Sequence, residues 1–163
     1  MTLSLFRRLV ALLALCALPA SASTTTAPQD KQFAVTTQEQ IKWQDVQGGL
    51  GTQFAVIRGN PAGPGLYVIR VKFPPNVMDT PHSHPNDRYV TVLKGTWYAG
   101  TGEKFDVTKA QKLEAGSFMF HPGGGAHWDG AAGDEEVIVE VIGEGPASTN
   151  QVDERQPMWL KVN

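Results

Sequence analysis

The segment "QFAVIRGNPAGPGLYVIRVKF" (53–73) restricts the fold more than any other part of the chain. Two runs rich in β-branched and aromatic residues are separated by Asn60 to Gly65, a dense turn signal. In the second run Tyr67, Ile69, Val71 and Phe73 fall on one face, while Arg70 and Lys72 fall on the other. Alternation with period two is the signature of a half-buried strand. The same grammar recurs downstream. "DRYVTVLKGTWYAGTG" gives a strand, a turn at Lys94-Gly95 and a second strand carrying Trp97 and Tyr98. "KLEAGSFMFHPGGGAHWDG" supplies a turn at Gly116, an apolar run from Phe118 to Phe120, a glycine loop and a segment ending in His127. "EEVIVEVIGEG" closes the series as a strand over 136–142. With 17 glycines and 11 prolines in 163 residues, short elements are favoured over long helices. The expectation is an all-β sandwich or barrel in one domain, residues 36–163, without internal repeats. Within "TTQEQIKWQDV" (36–46), Thr37 and Gln40 are spaced as a capping box, whereas Ile41, Trp43 and Val46 suit a short strand. Both readings stay open.

The first 22 residues have a different character. Arg7 and Arg8 precede ten apolar residues, Leu9 to Leu18, and Ala20-Ser21-Ala22 is a small-x-small cleavage site. This is the layout of a secretory signal, and ten apolar residues are too few to cross a bilayer. Residues 23–35 then read as a flexible leader rich in Ser, Thr, Ala and Gln. The expected location is periplasmic or secreted, with no membrane attachment of the mature form. The single cysteine, Cys16, lies inside the signal, so a mature chain has no disulfide available. Formal net charge is −2, and Lys and Arg form no cluster beyond Arg7-Arg8. That excludes the electrostatic footprint of a nucleic-acid binder and leaves a small molecule as the expected partner.

All four histidines fall within 82–127, as two pairs: His82 with His84, and His121 with His127. On a strand, residues i and i+2 share a face, so His82 and His84 present two imidazoles at a spacing suited to neighbouring positions on one metal. A third ligand has to come from another strand. Glycines 123 to 125 allow the sharp turn that brings His127 back toward the first pair.

These residues also carry a resemblance. The chain resembles the cupin superfamily, whose first motif has the form G-x5-H-x-H-x3,4-E-x6-G and whose second has G-x5-P-x-G-x2-H-x3-N. Gly116, Pro122, Gly124 and His127 match the second, with Ala131 at its final position; His82, His84 and Gly95 match the first. Asn76 stands at the leading glycine and Arg88 at the glutamate. The run from "IKWQDV" through "GNPAGPG", "GTWYAGTGEKFD" and "GEGP" is similar to a group of exported single-domain cupins. The resemblance implies a small β-barrel of jelly-roll type holding one divalent metal through His82, His84 and His127, and it makes a homodimer through edge strands available.

Arg88 removes the anionic fourth ligand implied by the family. A guanidinium stays protonated and offers no lone pair. Its neighbour Asp87 is one residue off, and on a strand that turns its side chain to the opposite face. Three neutral imidazoles around a divalent ion leave a centre of about +2, which a nearby Arg88 raises to about +3. Such a site should prefer a carboxylate or an enolate, with Arg88 forming a bidentate pair. The alternative is an Arg88 turned outward or paired with Asp87, Glu140 or Asp129. All-nitrogen ligation suits Fe, Cu, Ni or Zn. Fe(II) would point to dioxygenase chemistry on an acidic or enolisable substrate; Zn(II) would point to lyase, isomerase or hydrolase work. His121, outside the ligand positions, is a candidate base near the metal. Trp97, Tyr98 and Trp128 are candidate pocket residues, with alternation turning Trp128 away. The non-catalytic alternative is a cupin that binds a metal or small metabolite as sensor or carrier.

Overall fold

The computed structural model describes residues 32–162; the segment expected to be a signal (1–22) and the expected leader as far as residue 31 lie outside the described residues. Thirteen strands follow one another: β1 (Gln44–Asp45), β2 (Gln53–Arg58), β3 (Gly65–Phe73), β4 (Val77–Asp79), β5 (His82–Ser83), β6 (Arg88–Lys94), β7 (Thr96–Thr101), β8 (Gln111–Glu114), β9 (Phe118–His121), β10 (His127–Ala131), β11 (Val137–Gly145), β12 (Asn150–Gln151) and β13 (Trp159–Lys161). Helical structure among the described residues amounts to two single 3₁₀ turns, Gln38–Gln40 and Val107–Lys109. The segment 36–46 therefore holds both of its expected elements. Thr37 and Gln40 form the capping box, and Gln44–Asp45 then pairs with β2. No described helix is long and apolar enough to cross a membrane.

Pairing is antiparallel throughout and builds two sheets. The first has the order β1-β2-β3-β11-β6-β9; the second runs β12-β5-β10-β4-β13, with β7 joined to β10 and β8 joined to β7. Long-range neighbours such as β3 with β11 and β11 with β6 make this a jelly roll, as expected. The ladder does not pass from one sheet into the other, so the molecule is a two-layer jelly roll and not a closed barrel.

The core lies between the layers. Tyr67 and Phe73 on β3 are buried, and Ile69 and Val71 pack on the same cluster, so the face read from period two is the inward one. Val137, Val139 and Val141 of β11 face Val90 and Val92 of β6 and Trp97 of β7 in one cluster. Burying each such side chain contributes roughly 1.5–3 kcal/mol. The strand expected over 136–142 extends to Gly145, because all nine of its residues find a register partner on β3. Phe118 and Phe120, by contrast, point outward and are 58% and 44% exposed, with Met119 turned to the core. The acidic stretch after Gly133 anchors a neighbouring turn. Glu135 accepts from the Thr96 amide, and Glu136 pairs with Lys94 at 3.0 Å, so both tie down the β6–β7 turn.

Candidate metal centre

His82 and His84 flank Ser83 on and just after β5, and His127 opens β10 directly opposite His82 in register. All three are buried, with ring centroids 4.4 to 5.1 Å apart. Each is oriented in the same way. Nδ1 of His82 meets the Thr80 carbonyl at 2.9 Å, Nδ1 of His84 meets the Ser148 carbonyl at 2.8 Å, and Nδ1 of His127 meets the Gly125 carbonyl at 2.9 Å. A carbonyl only accepts, so each Nδ1 carries the proton and each Nε2 keeps its lone pair. This is the arrangement in which backbone carbonyls fix metal-ligating imidazoles. Ligand atoms of the three lie within 4.8 Å of one another, and Nε2 of His127 is buried without a hydrogen-bond partner. The residues present therefore fit a divalent ion.

The glycine loop delivers His127 as expected. Asp87 caps it, accepting from the Gly123 amide at 2.7 Å, so its carboxylate is committed away from the histidines. Arg88 faces inward. Of the partners considered for an outward arginine, Glu140 is taken by Arg70 at 3.0 Å and Asp87 by Gly123. Nη1 of Arg88 instead donates to Nε2 of His84 at 2.8 Å. An arginine proton and a metal ion would use the same lone pair, so they compete for His84.

One row of the first sheet explains how a charge is held there. Tyr67 on β3, Gly143 on β11, Arg88 on β6 and His121 on β9 are successive register partners. Burial lowers the Arg88 pKa, and the Tyr67 oxygen beside the guanidinium works against it and helps to keep the charge. Gly143 makes that reach possible. A Cβ there would stand 2.5 Å from the Tyr67 hydroxyl oxygen. Gly143→Ala is accordingly expected to cost about 1–3 kcal/mol by overpacking and to dislodge the hydroxyl from Arg88. Chemical denaturation checks this; an unchanged midpoint would mean that Tyr67 gives way freely.

His121 is buried, stacks on Trp97 at 5.8 Å and lies 3.9 Å from His127 between ring centroids. Its Nε2 is buried and unpaired. It thus belongs to the same cluster as the three ligand candidates. Trp97 lines the cavity, whereas Trp128 packs on Phe105 at 4.9 Å and Tyr98 lies under Lys112. The turning away of Trp128 follows from strand alternation.

Sequence reasoning missed Asp79, and it considered Asp129 only as a partner for Arg88, not as a neighbour of the histidines. Both are buried beside the histidines: Asp79 Oδ1 accepts from the Asp129 amide at 2.6 Å, and Asp129 Oδ1 accepts from the Trp97 indole at 2.9 Å. The available signal was position, since Asp129 follows His127 by two residues and so shares its face. Burial, and then the neighbouring Asp129, raise the Asp79 carboxyl well above the usual carboxylate range. Burial lowers the histidines too: His82 and His121 to about 4, and His84, with Arg88 adding to the effect, to about 2.

Those shifts set an acid limit. Unfolded histidines bind protons near pH 6.5, so between pH 6.5 and about 4 the unfolded chain takes up protons that the fold refuses. Stability falls as pH drops through this window, by about 1.4 kcal/mol per pH unit for each fully differing histidine. Asp79 acts in the opposite direction and offsets one of those protons. Urea midpoints of metal-free protein should fall steeply from pH 7 to pH 5; a flat profile would contradict the burial of neutral imidazoles.

The cavity around these groups measures about 350 Å³ and is walled by Ile69, Val71, Val90, Val139 and Val141. The sequence profile of the ChrR Cupin-like domain matches residues 31–146. The chain belongs to this cupin family. A search of curated proteins found no match. Among solved structures, this cupin is similar to the polyketide cyclase RemF from Streptomyces resistomycificus, with a TM-score of 0.66 and 16% identity over 77% of this chain and 89% of that one. It is similar to a cupin-like protein from Thermotoga maritima, with a TM-score of 0.52 and 26% identity over 64% and 80% of the two chains. DMSP lyase DddQ from Ruegeria pomeroyi also shares the fold, with a TM-score of 0.52 and 21% identity over 65% and 57%.

Proposed function

We propose that this cupin is an exported metalloenzyme that binds one divalent transition metal through His82, His84 and His127 and acts on a small anionic or enolisable substrate. The observation that carries the proposal is the shared orientation of the three imidazoles, each Nδ1 on a backbone carbonyl and each Nε2 turned to the others. Fe(II) or Zn(II) is the expected ion, and when bound it would supply a Lewis acid with positions open to water or substrate. His82, His84 and His127 would hold it. Arg88 would bind a substrate carboxylate or enolate once released from His84, and the apolar wall would take the rest of a small molecule and exclude water.

The dioxygenase version needs iron. A second version, redox-neutral lyase or isomerase chemistry on zinc, is favoured by the Tyr67 hydroxyl beside Arg88, a buried group able to hold or pass a proton. Export also favours zinc over labile Fe(II). The likeness to a cyclase and a lyase carries the fold and not the reaction.

Elemental analysis of protein purified anaerobically from its native compartment tests the proposal. Iron with substrate-dependent oxygen uptake supports the dioxygenase version. Stoichiometric zinc without oxygen uptake supports the second. Protein with no stoichiometric metal would sink both.

A further inference from the structure

The family places an anionic ligand where this chain has Arg88, yet the cavity still contains a carboxylate among the imidazoles. Asp129 is 6% exposed, and its Oδ2 lies 4.0 Å from Nε2 of His127, the atom that is buried without a partner. Donor atoms of His121, His127 and Asp129 lie within 4.8 Å of one another, and so do those of Asp79, His82 and Asp129. Asp129 is the residue common to both groups, each of which holds one of the three histidines expected to hold the ion. Its other oxygen is fixed. The Trp97 indole donates to Oδ1 at 2.9 Å, which orients the carboxylate in the way that outer partners orient metal-bound groups.

Asp79 does not have this geometry. Its Oδ1 takes the Asp129 amide and lies 3.7 Å from Nδ1 of His82, the nitrogen already turned to the Thr80 carbonyl. It stands behind a ligand; Asp129 stands in front.

We propose that Asp129 supplies the fourth, anionic ligand of the metal centre, from β10 where relatives supply it from the strand of Arg88. The assignment rests on the three-histidine reading given above. It changes the charge of the centre from about +2 to about +1 before Arg88 is counted.

Co(II) is the probe, titrated into metal-free full-length protein and followed by affinity and visible absorption, whose energy and intensity report the ligand set. Asp129→Asn should weaken Co(II) binding by about 10–100-fold or more, starting from the range typical of outer-shell losses, and should change the spectrum. Wild-type affinity and an unchanged spectrum in Asp129→Asn, with binding lost in His84→Ala, would overturn this assignment and leave the three-histidine centre standing. Failure of the wild type to bind Co(II) would overturn both. Should circular dichroism show that Asp129→Asn does not fold, infrared difference spectra of wild-type protein carrying ¹³C-labelled aspartate give the answer. A metal-induced shift of an aspartate carboxylate stretch is expected, and its absence overturns the assignment.

Discussion

Replacing His84 with alanine is expected to lower the affinity for Zn(II) or Co(II) by more than the 10–100-fold that loss of an outer-shell partner costs, about 100-fold or beyond. The expectation follows from how the site is held. Ser148, from the loop before β12, fixes the His84 ring through Nδ1, so the lone pair on Nε2 is aimed before any ion arrives. Alanine removes a preorganised donor from a set of neutral imidazoles, and the one histidine left over, His121, lies on β9 of the other sheet. Calorimetric titration of metal-free protein checks this. Retained wild-type affinity would place the ion elsewhere, with the group formed by His121, His127 and Asp129 the next candidate.

Arg88→Glu is expected to act in the opposite direction on metal and to abolish the preference for anions. The guanidinium engages Nε2 of His84 at 2.8 Å, so it both repels a cation and occupies one of its donors. At about 4 Å and an effective dielectric of about 20, one charge pair is worth about 4 kcal/mol before desolvation. Reversing the charge should therefore tighten divalent metal by at least about tenfold (about 1.4 kcal/mol) even after a large desolvation loss. Carboxylate probes such as pyruvate or oxalate should bind at least about tenfold more weakly. Arg88→Met separates the two effects, because it frees the His84 lone pair without adding a donor. If neither metal nor anion affinity moves in Arg88→Glu, the arginine does not act in the site.

Much of the fold and of the histidine cluster is legible in the sequence. Period two identified β3 and β11, since each presents a regular apolar face to one core. The His-x-His pair and the glycine loop before His127 foretold that the three histidines meet, because both spacings are local rules of strand and turn. The place of Asp129 among the histidines was missed for a different reason. A carboxylate is as common on a solvated strand as in a buried cluster, and its burial depends on Trp97, 32 residues away in sequence. The direction of Arg88 was undecidable for the same kind of reason. It depends on Tyr67 and on the missing side chain of Gly143, two residues that meet it only through strand pairing. The two-layer form, in place of a closed barrel, lies in long-range pairings that no local pattern encodes.

The division of labour between the layers has one more consequence. Every residue argued to hold the ion, His82, His84, His127 and Asp129, sits on or beside strands of one sheet, while Arg88, Tyr67 and His121 belong to the other. Specificity and metal chemistry can therefore drift apart in evolution. Arg88 is the exception, because it touches His84; substitutions at the apolar positions Ile69, Val71 and Val90 of that sheet would reshape one wall of the cavity without touching a proposed ligand.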